Sequence, residues 1–119
     1  MADAVMEFTV THTLMGREIT ARVIRLPKGI QVTLSGGDLP HIGAVSIAEP
    51  DGNISTNQFP GHREGGIAAE WAAALVNAGL APAVVAVGIH YDNLSREGIA
   101  AVVQETQAML AEVLARLGG

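Results

Sequence analysis

The chain has 119 residues, enough for one domain with one core, and neither a linker nor a composition shift divides residues 1–119. Seven Lys and Arg stand against twelve Asp and Glu, for a net charge of −5. With the bases well spread, this excludes the clustered cationic surface that a nucleic-acid backbone requires. Cysteine is absent, which removes disulfides, thiolate metal sites and cysteine nucleophiles.

Apolar residues make up 49% of the chain but aromatics only 3%, so the expected core is aliphatic, with Phe8, Phe59, Trp71 and Tyr91 as its few rings. The start, MADAVMEF, lacks the basic and apolar regions of a signal peptide. The apolar stretches near 67–76 and 83–89 are too short or too interrupted to span a bilayer. A cytoplasmic protein without a membrane partner is expected.

The first half alternates with period two. Met6, Phe8, Val10 and Leu14 oppose Glu7, Thr9, Thr11 and Thr13, which predicts a strand, and His12 falls on its apolar side. There a histidine is expected to serve as a hydrogen-bonded core or interface group. Met15-Gly16 predicts a tight hairpin. A second strand over 18–26 sets Ile19, Ala21 and Val23 against Glu18, Thr20 and Arg22. Pro27-Lys28-Gly29 suits a turn. Ile30, Val32 and Leu34 mark a third strand. Residues 42–48 are apolar or small on both sides and predict a central fourth strand. After the turn at Pro50-Asp51-Gly52 comes a weaker, polar fifth strand over 53–59.

The second half shifts to helical spacing. Ile67, Trp71 and Leu75 fall at i, i+4 and i+8, Gly79 suits the left-handed position after a helix, and Pro82 blocks continuation. Residues 83–89 form a continuous apolar run expected to be a strand buried on both faces. Ser95 is the expected N-cap of a last helix lined by Ile99, Val102, Val103, Leu110, Leu114 and Leu117, with Glu97, Glu105 and Glu112 mostly turned away. The order is βββββαβα, an α+β fold with a mostly antiparallel sheet and two helices.

Three loops combine glycines with ionisable side chains: residues 35–41, with Gly36, Gly37, Asp38 and His41; residues 60–66, with Gly61, His62, Arg63, Glu64, Gly65 and Gly66; and residues 88–92, with His90 and Asp92. Loops at strand ends commonly carry sites. Gly65 and Gly66 open a helix at about 1 kcal/mol each relative to alanine. Two readings stand: a helix N-terminus left clear for a phosphate or carboxylate beside Arg63, or a backbone that must take positive φ to enter the helix. Gly36-Gly37-Asp38 likewise reads as a ligand cradle or a plain turn with Asp38 bonding a nearby N–H, and matches neither a P-loop nor a dinucleotide fingerprint.

His41, His62 and His90 with Asp38, Glu64 or Asp92 offer a mononuclear histidine–carboxylate metal site, although neither HxH nor HExxH is present. His62–Glu64 and His90–Asp92 equally offer acid/base pairs. No serine sits in a G-x-S-x-G setting, so a hydrolase triad has no support. Tyr91 reads as a stacking ring or a strand-end cap.

GGDLPHIGAV (36–45), PGHREGGIA (60–68) and GIHYDNLS (88–95) together resemble the small prenylated-flavin chaperones, LpdD-like proteins that accompany UbiD-like decarboxylases and were earlier described as bacterial proteasome-assembly-chaperone-like. The order of strands and helices fits as well. The resemblance implies a homodimer with protomers like those of proteasome assembly chaperones. It also implies binding of reduced prenylated FMN, delivery of that flavin to an apo-decarboxylase, and no catalysis. Gly36, Gly37, Asp38, His41, Gly61, His62, Arg63, Glu64, His90 and Asp92 occupy the motif positions, and with Gly65 and Gly66 they are the candidate flavin contacts; none is assigned to catalysis or to a metal. A metal-dependent or acid/base enzyme built on His41, His62 and His90, and a ligand-free assembly chaperone, are the alternatives.

Overall fold

A computed structural model describes residues 5–118. Its elements are β1 (Met6–Leu14), β2 (Arg17–Leu26), β3 (Gly29–Gly37), β4 (Ala44–Ala48), β5 (Ile54–Gln58), α1 (Gly65–Asn77), β6 (Ala83–His90) and α2 (Arg96–Gly118). The order βββββαβα is the one the sequence predicts. The strands form one six-stranded sheet in the order β1-β2-β3-β6-β4-β5. Pairings β1–β2, β2–β3, β4–β5 and β4–β6 are antiparallel, and β3–β6 is parallel.

The sheet is therefore mixed rather than purely antiparallel, and the cause is topological. The chain leaves β3, runs back as β4 two strand positions away, and leaves a gap that β6 fills. A strand inserted between two oppositely directed neighbours must run parallel to one of them. The crossover through α1 carries the chain from β5 over β4 to β6, so β6 runs the same way as β5, antiparallel to β4 and parallel to β3.

Register places one alternating set of side chains under the helices. Val10 pairs with Ala21, Ala21 with Leu34, Leu34 with Val87, and Val87 with Ala44, so a single row of buried residues crosses five strands. Helix α1 contributes Trp71 and Leu75 to this core, and α2 contributes Met109 and Val113, all fully buried. Each fully buried Val or Leu stabilises the fold by roughly 1.5–3 kcal/mol. Helix α1 packs on β4, β6 and β5, and α2 packs on β1, so both helices share one face.

Among the described residues the other face carries no helix, and this corrects the expectation that the last strand is buried on both sides. Val85 and Val87 are wholly buried, but Val84 on the open face is 38% exposed. The fourth strand starts at Ala44 rather than residue 42, and it stands next to the edge strand β5, not at the sheet's centre.

The helix ends follow their sequence signals. The N–H of Gly98 donates to Ser95 Oγ at 3.0 Å, the N-cap bond of α2. At the end of α1, Gly79 takes φ +81°, its N–H donates to the Val76 carbonyl, and the Leu80 N–H donates to the Leu75 carbonyl. That pair is the Schellman closure. Among the described residues no helix is long and apolar enough to cross a membrane.

Two acidic residues of α2, expected mostly to face away from its apolar side, reach across to β1. His12 of β1 bonds Glu105 through Nδ1 at 2.6 Å and Glu112 through Nε2 at 2.9 Å. The spacing of seven residues, two helical turns, returns both carboxylates to one side of the helix, and His12 bridges them. Arg25 reaches the Leu117 carbonyl, and Arg116 bonds the Thr9 carbonyl while lying 4.2 Å over the Phe8 ring. These contacts fasten α2 along the β1–β2 side of the sheet.

Glu112 and then Glu105 raise the His12 pKa above the ordinary imidazole value of 6.5. A raised folded-state pKa means that this stabilisation is fully present below pH 6.5 and is lost as pH climbs through the folded value. Urea unfolding measured from pH 6 to 9 is expected to show a fall in stability over that window, and His12→Gln to flatten it. A variant with the same pH slope as the parent would show that the bridge is energetically silent.

Candidate functional site

Strands β3 and β6 run the same way, so their C-terminal ends lie side by side, with Gly37 opposite His90. The loop after β3 then doubles back against β6. The Asp38 N–H donates to the His90 carbonyl at 2.6 Å, and the Gly43 N–H donates to the Val87 carbonyl at 2.9 Å. This close approach explains two glycines. A Cβ on Gly37, which has φ +83°, would meet the His90 carbonyl, and a Cβ on Gly88 would drive into the carbonyl of His41.

A cavity of about 990 Å³ opens at this end of the sheet, between the first turns of α1 and α2. Its apolar wall includes Ile67 of α1, Ile89 of β6, Leu94, and Ile99, Val102 and Val103 of α2. Its polar rim carries His41, His62, Arg63, Glu64 and His90. The volume and the mixture match a site for a medium-sized ligand with an apolar body and a polar end.

The polar rim has defined geometry. Glu64, the residue just before α1, is nearly buried and accepts the Arg63 N–H on Oε1 at 3.3 Å. Its Oε2 lies 3.2 Å from His41 Nε2 and 3.9 Å from His62 Nδ1. The two imidazole rings have centroids 4.7 Å apart and are tilted by 32°. His41 Nδ1 is 2.9 Å from the Leu39 carbonyl, which accepts its proton. Arg63 is exposed, and its guanidinium has no hydrogen bond or ion pair among the described residues.

At the helix start, Gly65 is buried and its N–H donates to Gln58 Oε1 at 2.9 Å. A Cβ there would crowd the same Gln58 oxygen, whereas Gly66 lies in open space on the cavity wall. The N–H groups of Gly66 and Ile67 belong to the first-turn donors that no helix satisfies internally.

The twelve residues expected from sequence do not form one group. His41, Gly61, His62, Arg63, Glu64, Gly66 and His90 line the cavity. Gly36 and Gly37 border a separate, shallower depression of about 440 Å³ beside Arg17 and Arg22. Asp38 is bonded by Arg17 Nε at 2.7 Å and accepts the Asp92 N–H at 2.9 Å, so it ties the β2–β3 end to the loop after β6. Arg17, and then the Asp92 N–H, hold the Asp38 carboxyl below its usual range. Asp92 accepts from His90 Nε2 at 2.9 Å. Tyr91 lines the cavity but donates its hydroxyl to the Leu14 carbonyl at 2.8 Å, the strand-end role, and burial raises its pKa.

Sequence reasoning missed the apolar wall. Ile67, Ile99, Val102 and Val103 read as core stripe, yet Ile99 is 47% exposed. The signal was present at positions 99 and 103, which widen the apolar stripe of α2 only in its first two turns.

Gly88→Ala is expected to destabilise the protein by about 1–3 kcal/mol, the range for forcing extra volume into a packed site. Denaturant unfolding measures this. A loss below a few tenths of a kcal/mol would show that the loop over residues 38–43 moves away freely.

The prenylated flavin chaperone LpdD-like domain matches residues 13–118. No curated protein matches the chain. The matched span runs from the end of β1 to the end of α2 and contains all three glycine-and-histidine loops and every cavity residue named above. The chain thus belongs to the prenylated flavin chaperone LpdD-like family.

Proposed function

We propose that this protein binds reduced prenylated FMN in the cavity between α1 and α2 and delivers it to an apo UbiD-like decarboxylase, without carrying out a reaction itself. The observation that carries the proposal is the division of the cavity into an aliphatic wall and a polar rim at a helix start. A bent, reduced flavin ring needs apolar surface on its faces, and its phosphate needs cations and free N–H donors. Ile67, Ile89, Ile99, Val102 and Val103 supply the first. Arg63, with the open N–H groups of Gly66 and Ile67, supplies the second.

Delivery requires that the decarboxylase hold the flavin more tightly than this chain does. A wide-mouthed cavity between two helix ends, with exposed Arg63 and Ile99 at its rim, suits release better than a closed pocket would. Loading and hand-over take place in the cytoplasm on this reading.

Anaerobic titration with reduced prenylated FMN tests the binding step, with reduced FMN and oxidised prenylated FMN as controls. Selective, saturable binding is expected, with Arg63→Ala weakening it about tenfold, the value of roughly one charge-assisted contact of 1.4 kcal/mol. Ile99→Lys is expected to weaken it through the ring wall while leaving the fold unchanged. No binding to the folded protein would overturn the proposal, and so would a loaded protein that activates no apo-decarboxylase.

The homodimer belongs to the same reading, and we propose its interface on the helix-free face. Val84 of β6 pairs directly with Ile47 of β4, and Ala86 with Val45, so four apolar side chains sit together at its centre. Ile47 is 47% exposed. Sedimentation should show a dimer for the parent and a shift to monomer for Ile47→Lys. A variant that stays dimeric would move the interface elsewhere.

A further inference from the structure

We infer that His41, His62 and Glu64 form a binding site for one divalent first-row transition-metal ion, with an open coordination position turned into the cavity. The three residues come from two loops that are distant in sequence, and their ligand atoms lie within 4.8 Å of one another.

The hydrogen bonding of His41 is the first argument. A carbonyl oxygen only accepts, so the contact from His41 Nδ1 to the Leu39 carbonyl puts the proton on Nδ1. In the neutral ring Nε2 then carries a lone pair, and that lone pair faces Glu64 Oε2 at 3.2 Å. Two acceptors pointed at each other require a cation between them. An imidazole that donates one nitrogen to a backbone carbonyl and turns the other inward is also the usual second-sphere arrangement of a metal-bound histidine.

The third residue separates a metal from a proton. A proton serves two atoms, and His41 with Glu64 would suffice. His62 Nδ1 converges on the same carboxylate oxygen at 3.9 Å without a hydrogen bond to it. Two ligands each 2.0–2.1 Å from one ion stand roughly 3.3 Å apart at the tetrahedral angle. The 3.2 and 3.9 Å separations bracket that spacing, so a shift of the half-exposed His62 ring closes the set.

The surroundings hold the carboxylate in place. A Cβ on Gly43 would occupy the position of Glu64 Oε2, so glycine there keeps room for the carboxylate between the two loops. By contrast, His12 has a different carboxylate on each of its two nitrogens, and they lie on opposite sides of the ring, so that cluster cannot converge on one ion.

Two histidines and a carboxylate suit zinc, iron, cobalt or nickel over the hard ions magnesium and calcium. With three protein ligands the fourth position faces the cavity and takes water or a ligand oxyanion. A bound dication also offsets the Glu64 carboxylate, which otherwise repels any anion brought to the start of α1.

The test is a titration of the metal-stripped, full-length protein with Co2+, followed by competition with Zn2+, with no flavin present. Its outcome is therefore independent of what the cavity binds. One equivalent of Co2+ per chain is expected, with visible d–d bands of a low-coordinate nitrogen–oxygen site that Zn2+ bleaches. Loss of a partner outside the coordination sphere costs about 10–100-fold in metal affinity, so loss of a ligand is expected to cost at least as much in His62→Ala and Glu64→Gln. Circular dichroism confirms that each variant is folded, and His62 is exposed enough for its removal to be mild. The inference is overturned if the folded parent shows no saturable binding, or if both variants bind Co2+ as the parent does.

Discussion

The insertion of β6 between β3 and β4 is the constraint on which the rest of the molecule depends. Without β6, β3 and β4 are separated strands with unpaired backbone edges, and the sheet is a three-stranded β1-β2-β3 meander and a β4-β5 hairpin. Once in place, β6 satisfies both edges, one in parallel and one antiparallel register, and aligns Val85 and Val87 with Val32 and Leu34 on one side and Ser46 and Ala44 on the other. Backbone groups left unpaired in a buried sheet are costly, so this single strand completes the hydrogen bonding and the core together.

The same insertion creates the cavity. A parallel pair ends with both C-termini at one edge, and chain must leave from both places at once. The loop after β3 is pressed along β6, and the loop after β6 is tied back through Asp92 to Asp38 and through Tyr91 to Leu14. What remains between those loops and the first turns of the two helices is the space lined by Ile89, Ile67 and Ile99. Asp38 and Tyr91 thus act on the site by holding its frame.

Covering only one side of the sheet has a separate consequence. Polar and β-branched residues such as Thr9, Thr11, Thr20 and Thr33 suit a solvated face over β1 to β3, but Val45, Ile47, Val84 and Ala86 do not. The acidic character of the chain is likewise uneven. Glu105 and Glu112 are drawn in to His12, Glu64 to His41, and Asp38 to Arg17, so a good part of the formal negative charge is engaged in structure.

Local pattern by itself determined the element order, the inward faces of β1 to β3, the turn at Met15-Gly16, the Ser95 cap and the Gly79 closure, because each depends on neighbours a few residues away. The three loops and their resemblance to the flavin chaperones were legible for the same reason: their glycines and histidines are contiguous. Tertiary structure alone decided which of those residues meet. Period two cannot show that β6 lies between β3 and β4, or that no helix covers the far face, so Val84 read as core. A heptad spacing cannot show which way Glu105 and Glu112 point until His12 stands opposite them. His41 comes beside His62 and Glu64 because the loop after β3 folds back along β6, whereas His90 bonds Asp92 two residues on in its own loop. The His41–Glu64 and His12–Glu112 contacts join residues 23 and 100 positions apart, and such long-range pairing is set by how the strands assemble rather than by any local periodicity.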